Sequence, residues 1–161
     1  MEWGWISLAV GTIVLAFVVF RYRPKKKPMY RFTAKNITVS DEAFLRLFKD
    51  HRQKNSKPLI RLVDHYASML MFDHVTYMMA KGTASHDFLD NRRSELAKMG
   101  ATDIQEIVLS GFSTILSGFK GFVSSEKHNR AMLNEKANCM GMSIRRDNNG
   151  KYYFAVIFFR I

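Results

Sequence analysis

Apolar residues follow three different patterns along this chain, and each predicts a different kind of element. Trp3 to Phe20 (WGWISLAVGTIVLAFVVF) is an unbroken run of 18 residues without a charge. Further on, apolar positions recur at helical spacing. Ser40-Asp41-Glu42 reads as a helix start, a capping hydroxyl followed by acids, and Phe44, Leu45, Leu47 and Phe48 supply that helix with its apolar face. A second, longer helix is expected to open at Pro58, with Leu59, Leu62, Val63, Tyr66, Met69, Leu70 and Phe72 on one side and Gly82 as its stop. Arg92 to Lys98 predicts a short helix closed by Gly100, and Gly111 and Gly118 bracket a third apolar stretch that continues through Phe119 and Phe122.

Near the C-terminus the period drops to two. Met140, Met142 and Ile144 alternate with Gly141, Ser143 and Arg145, which predicts a strand with one buried face. Asp147-Asn148-Asn149-Gly150 is a hairpin turn signal, and Tyr152 to Phe159 (YYFAVIFF) returns apolar at both parities. A strand apolar on both sides needs cover on both sides. Helices first and a hairpin last argue for an α+β domain with the sheet between helix layers.

Charge sharpens the reading of the first 39 residues. Arg21, Arg23, Lys25, Lys26, Lys27, Arg31 and Lys35 put seven bases and no acid into residues 21–35, directly after the apolar run. Eighteen residues of helix span roughly 27 Å, close to the hydrocarbon thickness of a bilayer, and Trp3, Trp5 and Tyr22 sit where interfacial aromatics belong. A cleavable signal peptide is the competing reading, but it expects bases before the run and small residues after it, and this chain has Glu2 before and Phe20-Arg21-Tyr22-Arg23 after. Residues 1–20 are therefore expected to be a single-pass transmembrane anchor, 21–39 a polybasic tether stiffened by Pro24 and Pro28, and 40–161 the folded domain. The bases favour a cytoplasmic location for the domain and contact with anionic lipid headgroups.

The same concentration disarms the overall net charge of +11. Residues 36–161 hold 18 bases against 13 acids, an ordinary surface, so nucleic-acid binding would rest on the tether alone. With Cys139 as the one cysteine, no intrachain disulfide and no CxxC zinc ribbon can form. Any metal site must use histidine and carboxylate.

Five histidines are candidates. His51, His65 and His74 fall on predicted helices among charged neighbours, where they read as exposed or partly buried helix residues. His86 and His128 lie off the regular pattern, after Gly82-Thr83-Ala84-Ser85 and Ser124-Ser125-Glu126-Lys127. Between them Glu106 is the lone carboxylate of an apolar run (IQEIVL), a costly position unless something pairs with it. Ser124 or Ser125 beside His128 also admits a nucleophile–base reading, although Ser125 reads better as a helix cap.

In this order the residues resemble the CAP superfamily, the SCP-like domains named for cysteine-rich secretory, antigen and pathogenesis-related proteins. The likeness runs from Phe44 to Phe159. FKDHRQKNSKPLIRL is similar to the family's opening helix, and YASMLMFDHVTYMMAKGTASHDF to its long helix leading into a Ser-His pair, here Ser85-His86. QEIV resembles the motif that carries the family glutamate, GFVSSEKHNRAML its bacterial signature with Ser125 and His128, and MGMSIRRDNNGKYYFAVIFF its closing hairpin. Gln105, Ile107 and Phe122 stand where the motifs carry glycine, asparagine and tryptophan, and the second cleft glutamate of many relatives has no counterpart.

The resemblance implies a three-layer α-β-α sandwich with a cleft lined by His86, Glu106 and His128, supported by Ser85 and Ser125. It also implies that the cleft can take Zn²⁺ or another divalent cation, weakly. The function expected is non-enzymatic binding of a ligand or protein partner. A metal-dependent hydrolase or peptidase using the same three residues is the alternative, and a membrane-tethered nucleic-acid binder the third reading.

Overall fold

The structure, a computed structural model, describes residues 38–161. The expected anchor and the basic stretch lie outside the described residues, and among the described residues no helix is long and apolar enough to cross a membrane. In chain order the elements are α1 (Val39–Lys54), β1 (Leu62–Val63), α2 (His65–Lys81), α3 (Leu89–Ala97), β2 (Thr102–Phe112), α4 (Ile115–Ser124), α5 (Glu126–Met132), β3 (Cys139–Arg146) and β4 (Tyr152–Arg160). This is an α+β architecture built on one mixed sheet of order β1-β3-β4-β2. Strand β4 pairs antiparallel with both neighbours, and β1 runs parallel to the start of β3.

The double apolar parity of β4 is used as its pattern requires. Phe154, Val156 and Phe158 face one layer with Phe44 and Phe48 of α1, Phe119 and Phe122 of α4, and Met132 of α5. Tyr153, Ala155, Ile157 and Phe159 face the other, with Ala67, Met71, Val75 and Met78 of α2 and Leu96 of α3. The aromatic side interlocks edge to face, Phe44 against Phe119 at 5.6 Å and Phe122 against Phe154 at 5.8 Å.

Three local expectations change. Helix α1 is capped by Thr38, whose hydroxyl accepts from the Asp41 amide while the Asp41 carboxylate accepts from the Thr38 amide, so Ser40 lies already inside the helix. The second helix begins at His65 rather than Pro58. Asp64 supplies the capping oxygen, accepting from the Ala67 amide at 2.8 Å, whereas Lys57 before Pro58 can supply none. Leu59 to Val63 stay out of the helix because the Arg61 amide donates to Asn138 O and Leu62–Val63 join the sheet. Strand β3 is buried on both faces, not one. Gly141 and Ser143 are small because α2 crosses directly over them, and a Cβ at Gly141 would lie 2.4 Å from the Ala67 carbonyl carbon.

The exposed side of β3 is closed by other means. Met140 O accepts from the Asp64 amide at 2.7 Å, Ser68 Oγ accepts from the Met142 amide at 3.2 Å, and Asp41 Oδ1 accepts from the Ile144 amide at 2.8 Å. Beyond β1 the strand edge is thus occupied by side chains rather than by another strand.

Candidate functional site

Glu106 lies on β2 with Val108, on the face that meets α2 and α3, and its side chain is completely buried. The apolar run around it creates the strand; the carboxylate then needs a counter-charge. Arg92 of α3 supplies it in a two-pronged grip, Nε to Oε2 at 2.6 Å and Nη2 to Oε1 at 2.8 Å. Its remaining nitrogen, Nη1, donates to Asp87 O at 2.7 Å and so fixes the turn that leads into α3.

His86 stands on that turn with its Nδ1 2.9 Å from Glu106 Oε1 and its side chain 48% exposed. A carboxylate so engaged accepts only, so Nδ1 carries a proton and Nε2 is the ring nitrogen left free of Glu106. Beneath it His74 of α2 is buried, its Nε2 donating to Ser85 O at 2.8 Å and lying 3.9 Å from Glu106 Oε1. Burial and the neighbouring Arg92 guanidinium push the His74 pKa down, which keeps that ring neutral. Asp87 is held down to about 2, chiefly by hydrogen bonds from Lys81 and Tyr77.

His128 comes from α5, its ring edge-on to Phe122 at 5.2 Å. Its Nδ1 is buried without a hydrogen-bond partner, and burial together with the charge of His86 lowers its pKa. Glu106 does not join them as a free ligand, since both its oxygens are already taken. Among the described residues no group of three or more His, Cys, Asp or Glu is arranged to hold a metal ion. Glu106 therefore does not fit the part of a free ligand in a His-Glu-His set; it orients His86 from behind.

The profile of the CAP family, described as the Cysteine-rich secretory protein family, matches residues 45–159, which contain the whole of this arrangement. The chain belongs to the CAP family. Solved structures share the fold at low identity. An outer surface protein from Borrelia burgdorferi superposes with a TM-score of 0.67 at 14% identity, covering 81% of this chain and 97% of that one. An extracellular SCP-domain protein from Bacillus anthracis gives 0.63 at 20% identity, covering 74% of this chain and 40% of that one. A cysteine-rich secretory protein from Staphylococcus aureus gives 0.65 at 13%, covering 82% and 42%. This chain thus matches less than half the length of the latter two. No curated protein matches the sequence.

Within this CAP domain the expected trio divides. His86 and Glu106 bond directly, whereas His128 hydrogen-bonds to neither and packs on Phe122. Ser125 takes the N-cap position of α5 without a side-chain cap bond, and its carbonyl accepts from the Asn129 amide at 2.8 Å. Ser85 contributes its carbonyl to His74. Two members of the network escape a reading of the sequence. Arg92 looks like one more base on a polar helix, and His74 like an exposed helical residue; both are buried. The signal that points to Arg92 is Glu106 itself, whose apolar setting demands a cation.

Proposed function

We propose that this chain is a non-enzymatic CAP domain that binds a ligand or protein partner around His86 and His128, with a weak divalent-cation site formed by the two imidazoles. The observation that carries this reading is the occupation of Glu106, whose oxygens are both engaged by Arg92 and His86. A carboxylate so neutralised and wholly buried is a poor general base, so the hydrolase alternative loses its central group. What remains is Nε2 of the half-exposed His86, an imidazole nitrogen, the ligand type Zn²⁺ takes. Bound there, zinc would supply an electrophilic anchor for a ligand, while Glu106 and Arg92 orient the ring. Membrane anchoring through residues 1–20 and a cytoplasmic domain touching anionic headgroups belong to the same proposal and rest on the apolar run and the seven bases after it.

The test is thermal unfolding of the full chain in detergent with and without zinc. Zinc raises the melting temperature of the wild type and leaves a His86→Ala/His128→Ala double variant unmoved. An equal shift in both proteins refutes the imidazole site. A reporter fused after Ile161 that is active only outside the cytoplasm refutes the orientation.

A further inference from the structure

On the far side of α2 from Glu106, a groove of about 220 Å³ opens between α2, β3 and the first turn of α1. Its floor and walls include Met69, Phe72, Asp73, Met142 and Arg145. Met69 and Phe72 remain 52% and 47% exposed, an unusual outlay of large apolar surface on one short stretch of helix. Arg145 lies over the Phe72 ring at 5.1 Å and is already matched by Asp41 at 3.2 Å. Asp73 makes no ion pair among the described residues, so the groove offers apolar contact and one unmatched carboxylate.

The described chain begins at the lip of this groove. Arg145 Nη1 contacts Thr38 Oγ1 at 3.4 Å, and Asp41, three residues after Thr38, lines the groove itself. Thr38 is the residue to which the preceding sequence is joined. The ten residues that precede it, PMYRFTAKNI, carry Met29, Tyr30, Phe32 and Ile37 together with Arg31 and Lys35 and no acid. Phe32 is six residues from Thr38, a reach of up to about 20 Å. We propose that the groove is the docking site of this chain's own residues 28–37, with aromatic side chains against Met69 and Phe72 and a base on Asp73. Such docking would hold the domain against its own tether instead of letting it swing on a free one.

Disulfide trapping in the full chain, in zwitterionic detergent, tests this. Thr33→Cys is paired with Met69→Cys and, as control, with Leu116→Cys, which is 50% exposed on α4; Cys139 is buried and stays out of the reaction. Docking predicts that the first pair closes within one chain at least tenfold faster than the second, and that Asp73→Lys slows it several-fold. Equal rates for the two pairs overturn the proposal. So do crosslinks only between chains, which would give the groove to a second copy. Loss of the crosslink in phosphatidylserine vesicles, with a fluorophore at Met69→Cys quenched by lipid-borne quencher, would give it to the bilayer.

Discussion

Each helix layer of this domain buries one arginine, and the two are satisfied in opposite ways. Arg52, fully buried beneath the aromatic layer, donates to carbonyls alone: Pro58 at 2.7 Å, Met132 at 2.6 Å and Asn134 at 3.1 Å. Burial lowers its pKa, and Glu135 only partly offsets this. Arg92, in the methionine- and alanine-rich layer, grips a buried carboxylate that in turn holds a half-exposed imidazole. A guanidinium tied to backbone can only brace the fold, here the end of α1 against the chain after α5. One tied to Glu106 also decides which nitrogen His86 presents to solvent. The arginine of the aromatic layer braces the scaffold, and that of the softer layer orients an imidazole.

The largest test of this contrast strands a charge. Arg92→Met strips the guanidinium from buried Glu106, an expected loss of about 3–5 kcal/mol, whereas Arg92→Met/Glu106→Leu recovers most of it. Denaturant unfolding of the full chain reads both; a double variant as unstable as the single one would show that the pair is not the unit. Arg52→Met leaves neutral carbonyls behind, so its expected loss is smaller, about 2–3 kcal/mol, with no change in any zinc response. Gly141→Ala, which touches neither arginine, forces α2 off β3 and is expected to cost about 1–3 kcal/mol.

The smallest effect is on pH dependence. The pKa values of His74 and His128 are lowered in the folded state, so unfolding takes up protons on these rings. Their contribution is complete above the ordinary histidine pKa of about 6.5 and is lost progressively as pH falls below it. Stability should decline between pH 7 and pH 5, and His74→Gln should flatten the decline. An unchanged slope in His74→Gln would remove His74 from this account.

What was legible beforehand follows from how local each signal is. The closing hairpin is written in period and turn chemistry: Gly150 sits at φ +79° and Asp147 Oδ1 accepts from the Asn149 and Lys151 amides. His86 and Glu106 stood out because each breaks the pattern around it, and they do meet. Arg92 and His74 break no local pattern, since a base and an imidazole are ordinary on a helix; only the packing of α2 and α3 onto β2 buries them. Pro58 misled because a residue suited to a first helical turn is not sufficient where the residue before it cannot cap. At β3 the alternation was real, but Gly141 and Ser143 mark closeness of approach rather than contact with water.

The manner in which β3 ends has one more consequence. With Ser68 and Asp41 answering the outward amides of Met142 and Ile144, and the Asp64 amide answering Met140 O, that margin has no spare amide there to lend a neighbour. Copies crowded side by side cannot zip together into a longer ladder along this border. Any assembly they form across it must be written in side chains, where surface mutation can tune or erase it.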